Sequence, residues 1–217
     1  MRAQSRLIGT VKPGETFGEM AVIAQAARTA TAVAKSACTV IGLDEKQFHT
    51  ALQQKPEFAL MLMSIMNSRL RSTISRLQAT RALHAGAAKD SVVFEKKLLA
   101  GLVNVMSSQG PVRYDAGKMI MQEGTAGALM YVVLEGRVAI SIKGGIVGRA
   151  GPGGVFGEMA LVDQSVRAAT ATAETDCALL AINRNTFLQL VKTSPAFGAS
   201  LLAGLAERAA DMAERNK

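Results

Sequence analysis

At 217 residues the chain has room for one large domain or two small ones, and its 49% apolar and 19% charged residues fit a globular protein rather than a disordered one. A net charge of +8 suits an acidic partner such as a nucleotide, nucleic acid or anionic membrane, or reflects plain surface Lys and Arg. The sequence shows no zinc-ligand spacing, no Ser/His/Asp set and no phosphate loop ending in Gly-Lys-Ser/Thr, so no metal site is expected.

The opening stretch MRAQSRLIGTVK lacks the apolar segment of a signal peptide. The longest apolar run, around FALMLM, is far short of the ~20 residues of a membrane span. A cytoplasmic protein is expected. Next comes FGEMA at 17–21, which returns at 156–160, 139 positions later. The same shift places Pro13 on Pro152, Gln25 on Gln164, Arg28 on Arg167, Phe48 on Phe187, Pro56 on Pro195, Leu62 on Leu201 and Arg69 on Arg208. The register never slips, so one structural unit is used twice. Cys38 and Cys177 fall on each other too, within apolar strand-like runs, and are expected as buried free thiols. His49 and His84 stand in helical stretches without ligand-type neighbours.

The expected organisation is the back part of a first copy at 1–55, a long helix and linker at 56–93, and a complete second copy at 94–217. Counterparts of the second copy's early strands would precede Met1, so a truncated sequence is the expectation. Residues 56–85 contain no Gly and no Pro beyond Pro56. Leu60, Met63, Asn67, Leu70, Ile74 and Leu77 follow 3,4 spacing. That stripe fits either a coiled-coil seam pairing two chains, with Asn67 fixing register, or a helix packing on its own domain. Arg69, Arg71, Arg76 and Arg81 lie mostly off it and read as a solvated face.

In the second copy, FEKKLLAGLVNVM (94–106) has helical spacing. From Pro111 to Glu158, short apolar runs are cut by Gly-containing turns, which reads as an antiparallel β-roll or jelly roll. RAATATAETDCALLAI adds two strands, and helices follow at about 183–192 and from Pro195. The fold class expected is mainly β with flanking α-helices, in two tandem copies of which the first is incomplete.

PGGVFGEMALVDQSVRAAT (152–170) carries the chemistry. Its glycines admit a tight turn and close approach to a ligand, and GEMALV can form a short helix whose free N–H groups favour an anion. Arg167, nine residues after Glu158, offers a planar fork to phosphate. Glu158 is an acceptor only and suits a hydroxyl donor such as a ribose. From spacing alone, a structural Glu158–Arg167 ion pair stays open beside this sugar-phosphate reading. Glu19 and Arg28 repeat the pattern.

With EGTAGALMYVVLEGRVAI upstream, FGEMA followed by an arginine and small residues resembles the phosphate-binding cassette of cyclic nucleotide-binding domains. The resemblance covers about 94–215 and the back half of a copy at about 8–85. It implies that Glu158 accepts the ribose 2′-hydroxyl and that Arg167 pairs with the cyclic phosphate. Backbone N–H groups around Gly157, Met159 and Ala168 would share that phosphate. The helix from Pro195 would close over the base with Leu201, Leu202 and Leu205. By the same match Gly18, Glu19, Arg28 and Thr29 would serve the first copy. Val166 and Ala27 stand where the family commonly has proline. Alanine after the arginine accompanies adenine in the family's kinases and threonine accompanies guanine, so Ala168 points to cAMP, with cGMP the other ligand. The implied function is a regulatory module, not an enzyme, that turns cAMP binding into movement of its C-terminal helices, with the effector unknown. The alternatives are a transcriptional regulator of the catabolite-activator type, which would need DNA-binding parts from a missing segment or partner, and a ligand-free interaction scaffold.

Overall fold

The computed structural model describes residues 2–3, 6–7, 9–23, 27–28, 30–79, 90–107 and 109–214. Thr29, Arg81, His84 and the rest of 80–85 lie outside them, as does the side chain of Leu77. The chain divides into two compact units, Met1–Ala51 and Leu52–Lys217. No helix among the described residues is long and apolar enough to cross a membrane.

In the first unit β1 (Arg2–Ala3) pairs antiparallel with β2 (Arg6–Leu7), and α1 (Glu19–Ile23) follows Gly18. Between α1 and α2 (Glu45–Gln54) the described residues carry no regular structure apart from a single bridge residue at Thr31. Val40 and Ile41 are 63% and 91% exposed, while their repeat equivalents Leu179 and Leu180 are 0% and 2% exposed. The apolar pattern is the same, but the described residues of the first copy supply no facing strands. Cys38 shares this fate: it is exposed, against the expectation of burial, whereas Cys177 is buried.

The second unit begins in α2 and continues into α3 (Pro56–Ala79), β3 (Asp90–Ser91) and α4 (Lys96–Val105). Seven strands and a short helix then follow: β4 (Val112–Tyr114), β5 (Met119–Met121), β6 (Leu129–Glu135), β7 (Val138–Ile142), β8 (Gly145–Ala150), β9 (Val155–Phe156), α5 (Glu158–Asp163) and β10 (Thr170–Ala173). The chain ends with β11 (Cys177–Asn183), α6 (Arg184–Thr193) and α7 (Pro195–Glu214). Asn183 caps α6 by accepting from Thr186 N at 2.9 Å.

Two sheets form the roll, in the orders β3-β8-β7-β10-β5 and β4-β11-β6-β9. All described pairings are antiparallel except β3 with β8, where Asp90 faces Arg149 in parallel register. Tyr131, Val133, Val138, Phe156, Ala171 and Leu179 fill the core between the sheets. Phe197 of α7 stacks on Phe94 at 5.2 Å and meets Phe187 of α6 edge-on, which ties the helices to the start of the roll.

The stripe on α3 is covered within the same chain. Met63 and Asn67 are 0% exposed and Leu70 is 2% exposed, and α3 packs on α5, α6 and α7. Of the two readings of the 3,4 spacing, packing on its own chain is the one adopted. Arg71 is not part of a solvated face either, because it pairs with Asp163 at 2.6 Å.

Candidate functional site

The site grows from the end of β9. Gly157 has φ 80°, a left-handed conformation that turns the strand into α5, and a Cβ here would lie 2.6 Å from Arg167 Nη1. Glycine is therefore favoured by backbone conformation, and any Cβ here would push the Arg167 guanidinium from its place. Glu158 opens the helix and is only 2% exposed.

Arg167 reaches the same point from the strand side. Its backbone N–H donates to Thr125 O at 2.8 Å, and its carbonyl accepts from Gly124 N at 2.9 Å. The side chain passes Gly127, where a Cβ would meet Nε at 2.6 Å, and Nη1 donates to Gly157 O at 2.8 Å. Arg167 is 6% exposed. Burial pulls its pKa below the ordinary arginine value, while Tyr131 and Glu158 act in the opposite direction. The Tyr131 hydroxyl is pushed up to about 12, chiefly by burial and then by Tyr114, with Arg167 opposing.

Glu158 does not pair with Arg167. Its Oε1 accepts from Arg208 Nη1, and Arg208 Nη2 also donates to Val155 O at 2.7 Å. Oε2 is buried and has no hydrogen-bond partner. A buried carboxylate oxygen without a donor is costly, and so is a buried guanidinium whose hydrogen bond goes to a carbonyl. Both line one cleft, with Ile140, Ile142, Val147 and Met212 supplying apolar wall. A ligand with a hydroxyl donor, an anionic group and an apolar body would satisfy all three features at once.

Three further side chains hold α5 in place. Asn67 Nδ2 donates to Met159 O at 3.1 Å. Arg71 grips Asp163 through two bonds of 2.6 and 3.1 Å. Arg184 Nη1 donates to Leu161 O. Asp163 also accepts from Ser165 N and Oγ. Burial pulls its pKa upward, but Arg71 and Ser165 together hold it below the ordinary carboxylate value.

Gly157, Glu158, Met159, Arg167 and Ala168 all line this cleft. Leu201, Leu202 and Leu205 do not: they are 2%, 0% and 1% exposed in the packed part of α7, and Arg208, Asp211 and Met212 further along the helix line the cleft instead. Sequence reasoning did not assign Arg208 a role, although the coincidence of Arg69 with Arg208 in the repeat marked the position. In the first copy, Gly18 has φ 83°, Glu19 is 3% exposed, and Arg28 Nη1 donates to Gly18 O at 2.7 Å, the same local form as Gly157 and Arg167. Arg28 itself is exposed, and Phe17 is 42% exposed where Phe156 is 3%.

A family model for the cyclic nucleotide-binding domain matches residues 2–55 and 111–194. A cAMP-dependent protein kinase regulatory subunit of Mycosarcoma maydis is 30% identical over 177 residues, 78% of this chain and 30% of that protein. A cGMP-dependent protein kinase of Drosophila melanogaster is 33% identical over 110 residues, 51% of this chain and 10% of that protein. The chain thus spans less than a third of the length of either relative. Among solved structures, the catabolite activator protein of Thermus thermophilus matches over 54% of this chain and 57% of its own, with 33% identity and a TM-score of 0.46.

Proposed function

Because the chain belongs to the cyclic nucleotide-binding domain family, we propose that its second copy is a cytoplasmic regulatory site that binds cAMP in preference to cGMP. The observation that carries the reading is the buried, unpartnered Oε2 of Glu158 on the same cleft as the buried guanidinium of Arg167. Arg167 pairs with the cyclic phosphate, and backbone N–H groups around Gly157, Met159 and Ala168 share it. Glu158 Oε2 accepts the ribose 2′-hydroxyl while Oε1 stays with Arg208. Ala168, which lines the cleft, supports adenine over guanine.

Arg208 connects binding to the helices. It stands on α7 and bonds both Glu158 and Val155 O, the two sides of the turn that receives the ligand. A ligand that favours one position of this turn also favours one position of α7, and that differential affinity is what makes a switch. The α3 stripe is buried within the chain, so the proposal does not call on pairing of two chains. Gly18, Glu19 and Arg28 keep the local form of the cassette, but the exposed apolar residues around them leave the proposal resting on the second copy.

Calorimetry with cAMP and cGMP tests this. Wild-type protein binds cAMP more tightly, and Arg167→Ala weakens binding by about 2–5 kcal/mol, because a charged and buried contact is removed. Binding of neither nucleotide, or unchanged affinity in Arg167→Ala, overturns the reading.

A further inference from the structure

The apolar side of the cleft is not built by the second copy alone. Leu70 and Ile74 of α3 line it together with Met212 of α7. Ile74 is 8% exposed and packs on Ile142, Val147 and Ala169, with Ala168 and Met212 against the same cluster. Leu70 is 2% exposed. Glu158 and Arg167 line the same cleft, so a ligand held by them has these side chains as apolar wall for its body.

Comparison of the two repeats sharpens this. In the 139-residue register α3 is the counterpart of α7, with Pro56 on Pro195. Asn67, Leu70, Arg71 and Ile74 fall on Ala206, Ala209, Ala210 and Ala213. Four larger side chains on α3 thus stand where its copy has four alanines. All four engage the second copy's site: Leu70 and Ile74 line the cleft, Asn67 bonds Met159 O, and Arg71 grips Asp163 at the end of α5. Asn67 is fully buried with Oδ1 unpartnered, a cost that an apolar residue would avoid.

We propose that α3 is a wall of the nucleobase subsite: Leu70 and Ile74 contact the base of the nucleotide held by Glu158 and Arg167, and Asn67 and Arg71 are positioning residues that fix this wall to the cassette. The inference rests on the cyclic-nucleotide reading above. Leu70 and Ile74 offer only apolar contact, so they hold the ring without reading its polar edge. They add affinity for any purine and do not choose between adenine and guanine.

The test compares three ligands by calorimetry: cAMP, cGMP and a base-free methyl riboside 3′,5′-cyclic phosphate. Leu70→Ala and Ile74→Ala each weaken cAMP and cGMP by roughly tenfold, as expected for losing one or two buried methylenes against the ring, and change the base-free ligand by less than about twofold. Ile74→Val, which keeps the helix packed, shows the same base-dependent loss at smaller size. Arg71→Ala also weakens the two nucleotides and spares the base-free ligand, a selectivity that general loss of structure would not produce. Equal loss for all three ligands, unchanged affinities, or tighter cAMP binding in the α3 variants overturns the wall. The control is Arg167→Ala: if it abolishes binding while the α3 variants bind normally, the wall alone fails, and if Arg167→Ala has no effect, the reading of the whole site fails.

Discussion

Replacing Arg167 with methionine separates a ligand group from a structural one by the sign of its effect on stability. The side chain is 6% exposed and its hydrogen bond goes to Gly157 O at 2.8 Å. Losing that charge-assisted bond costs about 1.5–3 kcal/mol. Removing a desolvated cation recovers several kcal/mol, and methionine fills a similar length of space. The net for Arg167→Met falls between no change and a gain of about 2 kcal/mol, or roughly 0 to +8 °C in Tm for a unit of this size. An arginine kept for a buried ion pair would instead cost about 3–5 kcal/mol when removed. Thermal melts with and without cAMP give both readouts. Wild-type protein gains about 2.7 kcal/mol at a hundredfold excess over Kd, and Arg167→Met at the same cAMP concentration gains less than about 1 kcal/mol. A variant destabilised by more than about 3 kcal/mol, or one shifted by cAMP as far as wild type, refutes the assignment of Arg167 as a group held for the ligand.

The remaining expectations concern the scaffold around the site. Arg208→Ala leaves the Glu158 carboxylate without its cation; Arg208 keeps 26% of its side-chain surface, so the loss sits near about 2–3 kcal/mol, read as a Tm drop of roughly 5–10 °C. Asp163 has a lowered pKa, so its contribution is present above the ordinary carboxylate range and is lost as pH falls through the folded value. Denaturation of Arg71→Ala at neutral pH therefore shows a deficit of about 1 kcal/mol against wild type, and the gap closes as pH falls below the folded value of Asp163. Tyr131, raised to about 12, favours the folded state below the unfolded tyrosine value, and this is lost as pH climbs through the folded one. Absorbance at 295 nm should show a late phenolate step that Tyr131→Phe removes.

Much of the second copy was legible because its signals are local. The strands sit between Gly-containing turns, and the 139-residue register is held by apolar positions that must keep the same face. Glu158 and Arg167 could be found because one short cassette carries both. What escaped is what depends on distant partners. The cation on Glu158 comes from Arg208, fifty residues away, and no spacing rule connects them. A 3,4 stripe says that α3 buries one face, not that α5 and α7 cover it. The lid role of the α7 leucines was implied by the family resemblance alone, and no local signal separates a cleft wall from a core: all three are buried, while Arg208, Asp211 and Met212 line the cleft. Cys38 misled for a related reason: an apolar run is buried only where another sheet faces it.

That contrast between the two thiols gives the chain a built-in stopwatch. Cys38 is open to reagent from the start, whereas Cys177 is 4% exposed and its sulfur donates towards Thr175 O and Arg137 O. A thiol probe in excess consumes the first at once and reaches the second only when β11 parts from its neighbours. Counting modified chains against time then reports how often the second copy opens, with no label engineered in, and the clock slows for any molecule that holds the roll shut.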